Sequence, residues 1–101
     1  MQRTALVTGA TAGFGAAICR TLIENGYRVI GTGRRVTRLE QLQQELGENF
    51  HFLAFDISDR QATEDAFHSL PANWQSIDLL VNNAGLGLGL SLIHISEPTR
   101  P

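Results

Sequence analysis

The sequence has no lysine, a single cysteine and a single tyrosine among its 101 residues. One cysteine cannot close an internal disulfide, so nothing points to an oxidising compartment. No apolar run approaches the roughly 20 residues that a membrane-spanning helix needs. A net charge of −2 lacks the basic excess of a general nucleic-acid binder or membrane-surface protein. We therefore expect neither a nucleic acid nor a membrane as a partner.

The N-terminus gives no sign of a secretory leader. Residues 1–4 run directly into a strand-like segment, which leaves no room for the apolar core of a signal peptide. With 43% hydrophobic and 18% charged residues, the chain has the composition of a globular domain rather than of a disordered tail or a fibre. We expect a cytoplasmic protein of about one domain's size.

Short apolar runs alternate along the chain with segments of helical periodicity. The apolar runs end at turn-forming residues, and the helical segments carry apolar residues three or four positions apart. This pattern predicts four strands, at Thr4–Thr8, Tyr27–Thr32, His51–Phe55 and Ile77–Val81. It predicts three helices between them, at Ala16–Asn25, Val36–Leu46 and Ser58–Leu70. The third helix begins with Ser58 and Gln61 at the spacing of a capping box.

Strands that alternate with helices need crossover connections, which are right-handed and produce parallel sheets. The order therefore predicts an α/β fold, a doubly wound parallel sheet of Rossmann type with strand order 3-2-1-4. The first two helices are expected on one face of the sheet and the third on the other. The strand order reverses between the first and fourth strands, and such folds bind ligands at this switch point, beyond the carboxyl ends of the strands.

A glycine-rich loop joins the first strand to the first helix. It reads Thr-Gly-Ala-Thr-Ala-Gly-Phe-Gly over residues 8–15. Glycine lets the backbone turn sharply and lets a ligand approach, and the N-terminus of a helix offers unpaired N–H groups to an anion. The loop therefore fits a pyrophosphate cradle, and the lack of a following Gly-Lys-Ser/Thr excludes a P-loop. The alternative is a tight turn that binds no ligand.

Three more segments stand where the later strands end: Gly33-Arg34-Arg35, Asp56-Ile57 and Asn82-Asn83-Ala84-Gly85. Together with the Gly-x3-Gly-x-Gly loop, they resemble the short-chain dehydrogenase/reductase family, and the resemblance runs from about residue 6 to residue 90. It implies a cofactor site made of Gly9, Thr11, Ala12, Gly13, Phe14, Gly15, Arg34, Arg35, Asp56, Ile57, Asn83, Ala84 and Gly85.

The resemblance also assigns roles to these residues. The paired arginines correspond to the site of the cofactor's 2′-phosphate, Asp56 to an adenine contact, and the asparagine turn to a brace of the sheet beside the cofactor. An NAD enzyme usually carries a carboxylate after the second strand, where this chain has Arg34 and Arg35. A guanidinium binds phosphate whereas a carboxylate would repel it, so we expect NADP rather than NAD.

Each role has a structural alternative. One of the two arginines could simply solvate the turn that follows the second strand. Asp56 could be an acid at the N-terminus of the third helix, because Ser58 follows it closely. Asn82 and Asn83 form turns in their own right, so their segment could be a purely structural turn.

Within the family, the glycine spacing is that of the simple rather than the extended branch. Residues 8–15, 32–35, 70–74 and 82–86 resemble the NADP-dependent 3-hydroxy acid dehydrogenases that act on serine and L-allo-threonine. The resemblance implies hydride transfer between NADP(H) and a small hydroxy acid or alcohol, in a parent protein that forms a homotetramer.

The family's catalytic residues are a serine, a Tyr-x3-Lys pair and a supporting asparagine, beyond the fourth strand. In this chain the tyrosine is Tyr27, four residues before Gly31, and no lysine is present. We therefore predict no catalytic residue here and expect the chain itself to be inactive. The three histidines have no metal-ligand spacing, so no metal is expected. The alternative function is a free-standing nucleotide-binding or regulatory module.

The last dozen residues differ from the rest of the chain. Residues 1–89 are predicted to be a truncated dinucleotide-binding domain. The related enzymes continue differently after Gly89, and a reverse translation of residues 90–100 resembles the transposase adapter of sequencing libraries. We therefore expect residues 90–101 to be a non-native tail, the alternative being a natural divergent loop.

Overall fold

The computed structural model of the protein describes residues 2–84. Strands and helices alternate as predicted: β1 (Thr4–Thr8), α1 (Gly15–Glu24), β2 (Arg28–Gly33), α2 (Val36–Leu46), β3 (Phe50–Ala54), α3 (Arg60–His68) and β4 (Leu79–Asn82). Short 3₁₀ turns, Gly47–Asn49 and Ala72–Trp74, precede β3 and β4. No helix in residues 2–84 is long and apolar enough to cross a membrane. The predicted site residue Gly85 and the predicted tail, residues 90–101, lie outside the described residues.

The strands form one parallel sheet in the order β3-β2-β1-β4, which confirms the predicted fold class and strand order. β1 lies between two neighbours, with Leu6 opposite Ile30 of β2 on one side and opposite Leu80 of β4 on the other. All five residues of β1 are buried, as expected for a strand covered on both faces. The carboxyl ends of all four strands therefore meet at one edge of the sheet.

The core is divided between the two faces of the sheet because successive strand residues point to opposite sides. Val7 of β1 shares one buried cluster with Cys19 of α1 and Leu39 of α2. Its neighbour Leu6 belongs to the other cluster, together with Phe67 of α3. The prediction that the first two helices cover one face and the third covers the other is thus confirmed.

The start of α3 differs from the prediction. Asp59, not Ser58, is the N-cap residue, and its carboxylate accepts the backbone N–H of Ala62 at 3.0 Å. Aspartate caps a helix about as well as serine. The sequence pattern therefore could not decide which of Ser58 and Asp59 is the N-cap residue. Ser58 donates its hydroxyl to the carboxylate of Asp56 instead, at 2.7 Å.

The boundaries of three strands also shift by one or two residues, and β3 runs over Phe50–Ala54 instead of the predicted His51–Phe55. For β4 and β2, the shift accompanies a particular hydrogen bond. β4 starts at Leu79 rather than at the predicted Ile77, since the carboxylate of Asp78 accepts the N–H of Thr4 at 2.8 Å and interrupts the ladder. β2 continues through Gly33, the predicted breaking point. The carbonyl of Gly33 accepts the N–H of Phe55 at 2.8 Å, which extends the pairing of β2 with β3.

Candidate functional site

A cleft of about 660 Å³ lies at the edge of the sheet where the strands end, on the switch point between β1 and β4. Its walls come from the glycine loop, from the β2–α2 and β3–α3 connections and from the turn after β4. The lining residues are Gly9, Thr11, Ala12, Gly13, Thr32, Gly33, Arg34, Arg35, Arg38, Phe55, Asp56, Ile57, Ser58 and Ala84. This is the position at which a doubly wound sheet binds its ligands.

The three glycines of the loop have different structural roles. Gly9 has φ +65°, and a Cβ there would lie 3.3 Å from the backbone of Ala84, so the loop can pass close to the turn after β4. Gly13 has φ +53°, and a Cβ there would meet nothing within 4 Å. Gly15 is buried, and a Cβ on it would overlap the carbonyl oxygen of Gly9. The first and third glycines allow tight packing, whereas the second leaves its backbone open to the solvent.

The loop leads directly into α1. Phe14 is the N-cap residue, and no side chain caps this helix end within the described part of the chain. The N–H of Gly15 donates to the carbonyl of Ala12 at 2.8 Å, so the N–H groups that follow it in the first turn and the positive end of the helix dipole are left for an anion. Phe14 itself is 80% exposed and lies outside the cleft lining.

Asn83 fastens the glycine loop to the end of β4. Its side-chain amide donates to the carbonyl oxygens of Gly9, at 2.9 Å, and Ala12, at 2.8 Å. The hydroxyl of Thr8 accepts the N–H of Ala84 at 3.2 Å and donates to the side-chain oxygen of Asn82 at 3.0 Å. The asparagine turn therefore braces the loop through polar bonds between β1 and β4.

The wall of the cleft that β2 and α2 form contains three arginines, and we call it the basic wall. Arg34 and Arg35 follow β2, and Arg38 lies in the first turn of α2, where its side chain joins the same wall. Sequence reasoning missed Arg38, although its place in the first turn of the helix that follows Arg34 and Arg35 was a signal that it lies near the same strand end. No carboxylate follows β2 directly, and the one acid of the cleft lining is Asp56, after β3.

Asp56 is held by its own loop. One carboxylate oxygen, Oδ1, accepts both the N–H of Ser58, at 3.0 Å, and its hydroxyl, at 2.7 Å. The other, Oδ2, lies 4.0 Å from Nη1 of Arg34. The Ser58 hydrogen bonds, followed by the positive charge of Arg34, lower the pKa of Asp56 from its ordinary value. Asp56 is therefore an ionised carboxylate that turns one oxygen towards the basic wall.

The structure brings most of the predicted site residues together. Nine line the cleft: Gly9, Thr11, Ala12, Gly13, Arg34, Arg35, Asp56, Ile57 and Ala84. Three lie beside it, with Gly15 beneath the loop, Phe14 exposed on it and Asn83 bracing it. Besides Arg38, sequence reasoning did not name Thr32, Gly33, Phe55 or Ser58 as site residues. Gly33 belongs to the arginine segment, and the other three are neighbours of the motifs.

The described residues offer binding chemistry but no reactive nucleophile in this cleft. Cys19 is buried in the core, where burial raises the pKa of its thiol to about 12, so the thiol stays protonated. Tyr27 packs against the same core rather than facing the cleft. No group of three or more metal-binding side chains occurs in residues 2–84. The geometry suits an elongated, anionic ligand with a phosphate near the three arginines.

Known proteins are similar to this chain over most of its length. The sequence profile of the short chain dehydrogenase family matches residues 3–99. A probable NADP-dependent dehydrogenase of Haemophilus influenzae is 66% identical over 93% of this chain and 37% of its own length. The serine 3-dehydrogenase of Agrobacterium fabrum is 57% identical over 88% of this chain and 36% of its own length.

Solved structures also match. The crystal structure of serine dehydrogenase from Escherichia coli superposes with a TM-score of 0.79 and 54% identity, over 86% of this chain and 40% of that one. A closed form of serine dehydrogenase complexed with NADP+ gives a TM-score of 0.78, over 86% of this chain and 35% of that one. The chain thus spans a little over a third of the length of the curated relatives that it matches.

Proposed function

Because the chain belongs to the short chain dehydrogenase family, we propose that it is the cofactor-binding part of an NADP-dependent oxidoreductase. Several relatives are named for their use of NADP, and one matching structure holds NADP+. The nicotinamide supplies the hydride chemistry when it is bound, and the protein supplies binding and orientation. The residues described above contribute the binding.

The glycine loop fits the pyrophosphate of a dinucleotide. The backbone at Gly13 is open, since a Cβ there would meet nothing within 4 Å. The uncapped N-terminus of α1 adds N–H donors and a positive dipole end beside it. A pyrophosphate can therefore approach the backbone and be held by N–H groups. Asn83 supports this arrangement by fixing the loop from behind.

The preference for NADP over NAD rests mainly on the basic wall of the cleft. Arg34, Arg35 and Arg38 line the end of the cleft formed by β2 and α2, where the ribose of a dinucleotide lies in this fold. An NAD site usually has a carboxylate after β2, and here that position is basic. Guanidinium groups match the geometry and charge of a 2′-phosphate.

The substrate in this proposal is a small 3-hydroxy acid such as serine, or a related alcohol. Its support is the names of relatives, which include serine 3-dehydrogenases and an NADP-dependent 3-hydroxy acid dehydrogenase. The parent enzyme would act in the cytoplasm as a homotetramer. The 101-residue chain has neither lysine nor Tyr-x3-Lys, so we expect it to show no dehydrogenase activity. NADPH consumption above background by the purified chain with malonic semialdehyde would contradict this expectation.

The proposal also concerns the end of the chain. We propose that the native sequence of the cofactor domain covers residues 1–89 and that residues 90–101 are translated adapter. The competing outcome is a native sequence that continues through this segment, which the family match up to residue 99 favours. Reading the same gene from its source with an intact 3′ end separates the two. A downstream Tyr-x3-Lys supports the oxidoreductase, whereas a natural stop codon near Gly89 supports the free-standing nucleotide-binding module.

Cofactor preference is tested on a chimera in which residues 2–84 replace the matching segment of a full-length relative. The chimera is titrated with NADPH and NADH, and binding is followed by nicotinamide fluorescence. Charge-assisted hydrogen bonds contribute about 1.5–3 kcal/mol, so NADPH should bind roughly tenfold to a hundredfold more tightly. The double variant Arg34→Ala with Arg35→Ala should lose this preference. Arg3→Ala, which removes a charge far from the cleft lining, should keep it. Equal affinities for the two cofactors before mutation would refute the choice of NADP.

A further inference from the structure

The C-terminal end of α1, away from the cleft lining, contains a chemically sensitive pair of residues. Asn25 is the C-cap residue of α1, and Gly26 follows it with φ +90°. Both residues are exposed, and the Asn-Gly dipeptide occurs at this one place in the 101-residue sequence. Asparagine is among the thermolabile residues, and a following glycine has no Cβ to hinder attack on the side chain by the next backbone nitrogen. The pair therefore has the chemistry of a deamidation site.

The reaction is a ring closure followed by hydrolysis. The backbone nitrogen of Gly26 attacks Cγ of Asn25, so that a new N–Cγ bond forms and the bond between Cγ and Nδ2 breaks. Nδ2 leaves as ammonia and takes the proton that the Gly26 nitrogen loses. Solvent water then opens the five-membered succinimide at either carbonyl. The product is aspartate, or isoaspartate in which the main chain runs through the side-chain carbons.

The backbone conformation of Asn25 opposes this ring closure. A five-membered ring requires Cβ of Asn25 and the nitrogen of Gly26 to lie on the same side of the Cα–C bond. Asn25 has ψ 17°, so the Gly26 nitrogen nearly eclipses the backbone nitrogen of Asn25 instead of Cβ. The ring can therefore close only after ψ of Asn25 has changed by a large angle.

Two hydrogen bonds hold the reacting groups in this unreactive arrangement. Nδ2 of Asn25 donates to the carbonyl of Thr21 at 2.7 Å, which fixes the side-chain amide against the last turn of the helix. The N–H of Gly26 donates to the carbonyl of Ile23 at 3.0 Å, so the attacking nitrogen is part of the helix end. Both bonds must break before the ring can close, and the reaction therefore requires the end of α1 to open.

The product does not fit the closed helix end. Aspartate at position 25 cannot donate to the carbonyl of Thr21, and it places a negative charge next to Glu24 at the end of α1, where the helix dipole is negative. Isoaspartate adds an extra atom to the main chain at the turn itself. Either product therefore weakens the connection between α1 and β2.

We propose that Asn25 is a site of spontaneous deamidation that reacts only when the C-terminal turn of α1 opens. The native helix end protects the side chain, and the product prevents the turn from closing as before. Deamidation thus marks, irreversibly, the chains in which this turn has opened. This modification site lies outside the cleft and is independent of the proposed function.

The first test compares the folded and unfolded protein. The chimera that carries residues 2–84 is kept in mildly alkaline buffer, with and without enough guanidinium chloride to unfold it. Trypsin cuts after Arg20 and Arg28, so Asn25 and Gly26 are recovered on one peptide, on which mass spectrometry follows conversion of the amide to the acid. The native rate should be at least about tenfold below the unfolded rate, because opening costs free energy only in the folded state. Equal rates would overturn the proposal.

The second test separates local opening from global unfolding. Leu22 lies in the last turn of α1 and Leu46 ends α2, and both side chains pack against the same buried cluster. Leu22→Ala should raise the native rate about tenfold, whereas Leu46→Ala, the matched truncation, should raise it less than about threefold. Equal increases would overturn opening of the α1 end as the controlling step.

The third test concerns the consequence of the modification. Asn25→Asp and Asn25→Ala both lose the hydrogen bond to Thr21, and only the first adds the charge at the end of α1. In the chimera, Asn25→Asp should therefore melt about 1–4 °C below Asn25→Ala. Equal melting temperatures would contradict the claim that the product's charge weakens the closed turn.

Discussion

The side-chain amide of Asn83 donates a hydrogen bond to the carbonyl oxygen of Gly9, 74 residues earlier in the chain, at 2.9 Å. A second bond from the same nitrogen reaches the carbonyl of Ala12 at 2.8 Å. The glycine loop thus depends for its shape on a residue of the last described turn. A loop that looks local in the sequence is held by a contact between the first and fourth strands.

Replacing Asn83 tests this dependence. Asn83→Ala removes both bonds and leaves two carbonyls without this partner, which should cost about 1–3 kcal/mol in the free energy of unfolding. It should also weaken nucleotide binding, because the loop is no longer fixed. Urea unfolding of the chimera and titration with 5′-AMP measure the two effects. Asn73→Ala, at an exposed position away from the cleft, is the control. Equal behaviour of the two variants would show that Asn83 does not brace the loop.

Two glycines with positive φ offer a matched comparison. Gly13 has φ +53° and Gly26 has φ +90°, and a Cβ on either would meet nothing within 4 Å. Alanine at each position should therefore cost a similar backbone strain of about 1–2 kcal/mol. Gly13 lines the cleft, whereas Gly26 follows Asn25, the C-cap residue of α1, and does not line the cleft. Only Gly13→Ala should weaken nucleotide binding, as measured by calorimetry. Equal binding losses would place the ligand elsewhere.

The arrangement of elements could be predicted because it depends on periodicity and crossover handedness. β1 carries three apolar residues between two threonines, and the helices repeat their apolar residues at helical spacing. The order of the elements and the faces of the sheet that the helices cover could therefore be predicted. The boundaries could not be predicted in the same way. Whether Ser58 or Asp59 caps α3, and where β4 starts, depends on single side-chain hydrogen bonds that no pattern specifies.

The candidate site, too, could be predicted only in part from the sequence. Motif spacing placed Arg34, Arg35 and Asp56 at the ends of their strands, and the structure brings these residues to one cleft. Arg38 was missed because it belongs to a helix rather than to a motif. The sequence also left two roles open for Asp56, a contact to the adenine and an acid at the N-terminus of the third helix. In the structure one oxygen of Asp56 forms the turn and the other faces the cleft's arginines, so a single side chain is available for both.

The ionisation of Asp56 provides a test by pH. The hydroxyl of Ser58 is the main cause of the lowered pKa of Asp56, so Ser58→Ala should raise that pKa towards its ordinary value. A lowered pKa in the folded state means that the ionised Asp56 stabilises the fold above its ordinary pKa. This stabilisation is lost as the pH falls through the folded-state pKa. Carbon-13 NMR of the Asp56 carboxyl gives the midpoint directly. An unchanged midpoint in Ser58→Ala would show that Ser58 does not set the charge state, and Ser76→Ala is the control.

The exposed side of β4 leads to the last prediction. Within residues 2–84, β4 pairs only with β1, and Leu79, Leu80 and Val81 are only partly buried, whereas β1 is buried throughout. An unpaired apolar strand edge is a template for intermolecular pairing, and a parallel sheet needs cover on both faces.

The isolated 101-residue chain should therefore show a broad, non-cooperative thermal transition and mixed aggregates on size-exclusion chromatography. The chimera, in which the rest of a relative can cover β4, should melt sharply. A sharp melt from a monodisperse monomer of the chain alone would contradict the prediction. It would show that the first four strands fold as an autonomous domain, and it would favour the free-standing nucleotide-binding module over the oxidoreductase.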